Sequence, residues 1–143
     1  MPDLHIDDFF RDAAKTIVQL YRVFPRPVTV YVEDISGPDQ PDEYGVHGPR
    51  YQACFATFQW LQEAGFIGFQ DTIGADAIDQ AVITPRCFAK LQTFLPDRST
   101  NNTLPPSVQQ ERATRIYQLQ RAVQDKSLEA QRDGIQKLLD VMT

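Results

Sequence analysis

The sequence predicts an α+β fold that is mostly helical, with a helical C-terminal extension. Three observations carry this. Apolar residues recur at spacings of three and four at the start of the chain, in its middle and at its end. Between residues 66 and 83 two short strand patterns enclose a turn, and a helix pattern lies directly on each side. A Val-rich alternation, Val28, Val30 and Val32, follows the first helix as a further strand.

In the first helix, residues 3–24, Ile6, Phe10, Ala13, Ile17, Leu20 and Phe24 form one stripe. Asp3, Asp7 and Asp8 lie near its start, where carboxylates suit the positive end of the helix dipole. Pro25 and Pro27 stop it. The Val-rich strand follows, with room for a short helical turn from Val32. Residues 36–49 hold three prolines and three glycines in fourteen positions, so this is a loop with at most one helical turn. Its acids, Asp39, Asp42 and Glu43, face solvent in that reading, and His47 is a turn residue.

The central helix begins near Pro49. On a wheel, Tyr51, Cys54, Phe55, Phe58 and Leu61 form the core face. Ala53, Thr57, Trp60 and Ala64 make a second side, and Gln52, Ala56, Gln59 and Glu63 a polar strip. A helix this apolar is either clamped between two elements or presents Trp60 to a partner; burial of Trp60 within the protomer is the leading expectation. Gly65 ends the helix at C′, where positive φ is cheap only for glycine. A strand from Phe66, a turn near Gly74-Ala75-Asp76 and a returning strand at residues 79–83 follow. Thr84 then N-caps a helix with Pro85 in its first position and Cys87, Phe88, Leu91 and Phe94 on its apolar face.

Residues 95–106 are polar and Pro-containing and read as a linker. Ser107 and Gln110 make a capping box. Val108, Ile116, Leu119 and Val123 form one stripe, and Leu128, Ile135, Leu138, Leu139 and Met142 a second. Gly134 and the Asp125-Lys126-Ser127 step break the register, which favours two helices. The stripes must be buried somewhere; packing on the first helix and dimerisation both achieve it. The organisation is therefore 1–95 domain, 96–106 linker and 107–143 helical tail.

The segment WLQEAGFI, the hairpin and AVITPRCFAKL resemble the helix–wing–helix segment of winged helix-turn-helix proteins. Trp60, Leu61, Gly65, Phe66 and Ile67 match its helix end, and Ile83, Thr84 and Leu91 its strand-to-helix step. The match covers about residues 49–95 and, with the first helix and strand in compatible order, about 3–95. Cys87 stands where that pattern usually has glycine. The resemblance implies a winged-helix fold and a homodimer through the C-terminal helices.

The chain's 143 residues suit one domain with an appended element, and its 42% hydrophobic and 23% charged content is ordinary for a globular protein. No run approaches the roughly 18 apolar residues of a membrane span. The N-terminus is acidic, unlike a secretory or mitochondrial signal, so a cytoplasmic protein is expected. Cys54 and Cys87 have no metal-type spacing to His5 or His47 and read as buried free thiols. G-x-S-x-G, P-loop, G-x-G-x-x-G and H-E-x-x-H motifs are all missing, and no enzyme activity, cofactor or metal is expected.

The resemblance makes duplex DNA the first candidate partner, in transcription regulation. Gln52 and Gln59 would face bases, since Gln can pair with adenine. Arg50 and Tyr51 would hold phosphate, with Arg86 and Lys90 assisting. Charge opposes this. The net charge is −5; residues 107–143 carry +1 and the first 106 residues −6. The wing, residues 68–84, holds Asp71, Asp76 and Asp79 and no Lys or Arg, which phosphates would repel. The alternative is a protein–protein interaction or dimerisation module on the same fold without DNA contact.

Overall fold

The computed structural model describes residues 4–39, 41–92 and 114–140. In order these are α1 (Leu4–Val23), β1 (Val28–Tyr31), α2 (Val32–Ser36), α3 (Pro49–Glu63), β2 (Ile67–Gly68), β3 (Asp71–Ile73), β4 (Ala77–Ile83), α4 (Pro85–Leu91), α5 (Arg115–Gln124) and α6 (Leu128–Asp140). The class is α+β and mostly helical, as the periodicities require. The linker, Phe94, the Ser107–Gln110 capping box, Val108, Asp3 and Met142 lie outside the described residues.

The element around which the others gather is α1. It packs against α3 on one side and α6 on another, and it also touches α5 and β4. Its buried set is wider than one stripe: Ala14 and Val18 join Phe10, Ala13, Ile17 and Leu20, and so do the polar Asp12 and Thr16. Thr16 satisfies its hydroxyl on the Asp12 carbonyl at 2.7 Å. Ile6, at the end of the expected stripe, stays 38% exposed.

The sheet runs in the order β1-β4-β2, with β3 also on β4, and all pairs are antiparallel. β2 and β3 are one strand direction interrupted at Phe69-Gln70. The turn forms where expected, with Gly74 at φ 56°. β4 begins at Ala77, earlier than its alternation indicates, because Ala77 and Ile78 pair with both β1 and β3. Gln80, at φ 56°, accompanies a register shift between Val28 and Val30. This bulge resets the alternation, so Ile78, Ala81 and Ile83 all reach the core.

Local signals act as read at two joints. Gly65 takes φ 84° after α3. Thr84 caps α4, its hydroxyl accepting from the Cys87 amide at 3.1 Å and donating to the Gly65 carbonyl at 2.7 Å. One threonine thus ties the start of α4 to the end of α3. Both cysteines are buried and free, and burial pushes each thiol up to about 12, so neither is a thiolate near neutral pH.

Among the described residues, the centres of the C-terminal stripes are buried within the protomer. Ile116, Leu119 and Ala122 of α5 and Ile135 and Leu138 of α6 belong to the interior, and both helices pack on α1. Of the two ways to bury them, packing on the first helix is seen for the described residues of both stripes. The break between the helices falls at residues 125–127, where Lys126 takes φ 56°. Gly134 lies inside α6 and has a different purpose: a Cβ there would meet Leu119 Cδ1 at 3.0 Å. Gly134→Ala is expected to gain about 1 kcal/mol of helix propensity and lose about 1–3 kcal/mol to overpacking. Chemical denaturation should therefore find a variant that is no more stable than the parent.

Candidate functional site

The outward side of α3 is the obvious place to seek a site. Gln52, Ala56, Gln59, Trp60, Gln62 and Glu63 are exposed along it. Trp60 is 42% exposed, contrary to its expected burial in the protomer. The physical reason is that α1 occupies only one flank of α3. Phe9 of α1 meets the indole edge-on at a centroid distance of 5.2 Å and leaves the rest open. Of the expected core face, Tyr51, Cys54, Phe58 and Leu61 are buried and Phe55 is half-buried; of the second side, Thr57 goes in and Trp60 stays out. Thr57 is satisfied on the Ala53 carbonyl at 3.0 Å, which makes its burial cheap.

The six residues weighed for DNA do not form one surface. Arg50 is held by Asp12 of α1 in a two-pronged pair, with Nη1 and Nη2 each 2.6 Å from a carboxylate oxygen. Asp8 lies 3.5 Å from its Nε. The hydrogen bond to Asp12 is the main reason that the guanidinium holds its proton more tightly than usual. Tyr51 is buried, and its hydroxyl donates to Asp76 at 2.7 Å. Burial first, and then Asp76, raises that phenol well above its ordinary range. Gln52 is exposed, but its side-chain amide donates to the His47 carbonyl at 2.6 Å. Gln59 is exposed. Arg86 is exposed and lies over Gly65, its Nη1 3.7 Å from where a Cβ would sit. That is the C-terminal end of α3, where a cation suits the helix dipole. α3 has 15 residues, so Arg50 and Arg86 stand at opposite ends of a rod about 20 Å long. Lys90 is buried.

Sequence reasoning missed a polar network around the start of α3. The His47 ring sits between two carboxylates, with Nδ1 2.7 Å from Asp39 and Nε2 2.9 Å from Asp76. It also stacks on Tyr51 at 3.9 Å. A ring protonated on both nitrogens donates to both partners, whereas a neutral ring donates to one. Asp39 further accepts from the Gly48 amide, and Asp42 turns the loop by accepting from the Tyr44 and Val46 amides at 2.9 Å. The loop read as solvated is therefore fastened to the hairpin turn and to α3. The wing acids are also employed: Asp76 as above, and Asp79 accepting from Thr29 at 2.8 Å. No local spacing in the sequence links these partners.

Chemically, the network binds its own members. It presents no exposed nucleophile, and among the described residues no group of three or more His, Cys, Asp or Glu side chains is placed to hold a metal. Among the same residues no helix is long and apolar enough to cross a membrane. No protein-family model matches the chain, and comparison with curated proteins and with solved structures finds no match.

Proposed function

We propose that this chain is a protein-interaction module on a winged-helix framework, with the α1–α3 face around Trp60 as its docking surface. The framework is supported by the element order of helix, strand, two helices and hairpin, and by β1 pairing with the returning strand β4. One observation carries the function: the outward strip of α3 offers a half-open indole among glutamines and no cation, because Arg50 is taken by Asp12. Tryptophan is the side chain most enriched at binding hot spots, where a large rigid surface is desolvated by a partner. Ile6, one turn before Phe9 on α1, extends the apolar patch, and the Gln and Glu side chains provide a polar rim.

A second reading, duplex DNA recognition, is favoured by the exposure of Gln59 and Arg86. Phosphate neutralisation dominates DNA affinity, and an acidic hairpin beside a cation-free strip supplies little of it.

A photoreactive residue introduced at Gln59 in cells distinguishes the two. The expected result is a protein adduct that disappears in Trp60→Ala. A nucleic-acid adduct would overturn the proposal. Trp60→Ala itself is expected to lower folding stability by about 1–3 kcal/mol, less than the loss of a fully buried ring because the indole is 42% exposed, as read by chemical denaturation.

A further inference from the structure

Exposed positions on α3 recur at the spacing by which one helix meets another. Gln52, Ala56, Gln59 and Glu63 are all exposed, at successive intervals of four, three and four. At 100° per residue they share an arc of about 60°, a seam of coiled-coil type. Trp60 stands on one flank of this seam, where Phe9 of α1 meets it edge-on.

The seam is the neutral part of an acidic chain. The first 106 residues carry −6, yet Glu63 is the only ionisable side chain of the four. Two like-charged copies repel each other least through such a surface. Glutamine amides both donate and accept, so a strip lined by Gln52 and Gln59 is complementary to itself. Ala56, near the middle, lets two helices approach closely.

Glu63 fixes the orientation. Parallel copies would set the two Glu63 carboxylates against each other. In an antiparallel pair each Glu63 comes to lie beside Gln52 of the other copy, at the positive end of that copy's α3. The same register places Ala56 against Gln59. It also brings the two indoles onto one side of the seam, about 8 Å apart along the helix axis. α3 has 15 residues and is about 22 Å long. One helix side of that length, with Leu4 and Ile6 of α1 at its edge (66% and 38% exposed), is a footprint for a small, reversible interface rather than an obligate one.

We infer that the occupant of the Trp60 face is a second copy of this chain, docked α3 on antiparallel α3 across a two-fold axis between Ala56 and Gln59. This rests on the docking role proposed above and names its partner.

The test is sedimentation velocity of the full chain from about 10 to 500 µM, the range in which a small reversible interface forms. The parent is expected to pass from one chain mass to two. Trp60→Ala should weaken self-association at least tenfold. Gln59→Lys and Gln59→Glu, surface changes that leave the fold intact, should each do the same, because like charges then face each other near the axis. An equal mixture of the two Gln59 variants should dimerise as the parent does or better, since opposite charges now meet. A parent that stays monomeric throughout overturns the second copy, as does a dimer indifferent to both Gln59 variants or a mixture that recovers nothing. The photoreactive residue at Gln59 separates this failure from that of the docking role. An adduct of twice the chain mass supports the second copy. A protein adduct of any other mass, with a monomeric parent, overturns the second copy and keeps the docking face. No protein adduct and a monomeric parent overturn both.

Discussion

Arg50→Met is expected to lower folding stability by about 3–5 kcal/mol, the range found when one partner of a buried ion pair is removed. The Asp12 side chain is 1% exposed and that of Arg50 36%, so the two halves of the pair are not equivalent. Removing the arginine strands a carboxylate in the interior between α1 and α3. Removing the aspartate leaves a guanidinium that reaches water and still has Asp8 at 3.5 Å. Asp12→Ala should therefore cost less than Arg50→Met. Urea unfolding followed by circular dichroism checks the order, and an unchanged denaturant slope shows that stability alone has moved. Equal losses would mean that the pair is as open to solvent at Asp12 as at Arg50. The loss matters against a total stability of about 5–15 kcal/mol for a domain of this kind.

Phe58→Ala is expected to cost about 3–5 kcal/mol, as deletion of a fully buried aromatic ring does. Phe58 is 0% exposed and sits in the interior with Ile17, Leu61 and Ile83. Its neighbour two positions on, Trp60, is the larger side chain but lies on the other side of α3. Substituting the smaller ring should therefore do more damage than Trp60→Ala. Comparable losses for the two would place Trp60 in the interior and remove the docking face. The comparison can be made by circular dichroism, since Trp60 is the chain's single tryptophan and its substitution removes the fluorescent probe.

What the sequence made legible was local. The period of α1, the Gly65 stop, the hairpin turn at Gly74 and the Thr84-Pro85 start each depend on neighbours within a few residues, and each formed where read. What it hid was pairing across the chain. Arg50 finds Asp12 across 38 positions and Tyr51 finds Asp76 across 25, and no spacing rule links such partners. Arg50 reads as an open phosphate ligand until Asp12 is known to face it. The helical wheel sorts α3 into sides without saying which side α1 will cover, and it groups Thr57 with Trp60, of which only Thr57 is buried. The tail stripes were plain in sequence, but only the packed fold shows α1 as their partner. The bulge at Gln80 is a further case: two-residue alternation cannot register one extra residue that turns the pattern over.

The same distinction bears on function. Positive charge near the start of α3 would draw DNA only if it were free, and here it is committed to a buried carboxylate. Gln52 is also occupied by the His47 carbonyl. What remains open along α3 is uncharged or acidic, with one indole, and the hairpin beside it carries Asp71, Asp76 and Asp79.

The most direct measurement is fluorescence anisotropy of a labelled random duplex titrated with the full chain at about 50 mM salt, where phosphate-driven binding is strong. No binding is expected. Salt-dependent binding that Gln59→Ala and Arg86→Ala weaken would contradict the protein-docking role of α3 and make it a nucleic-acid reading surface.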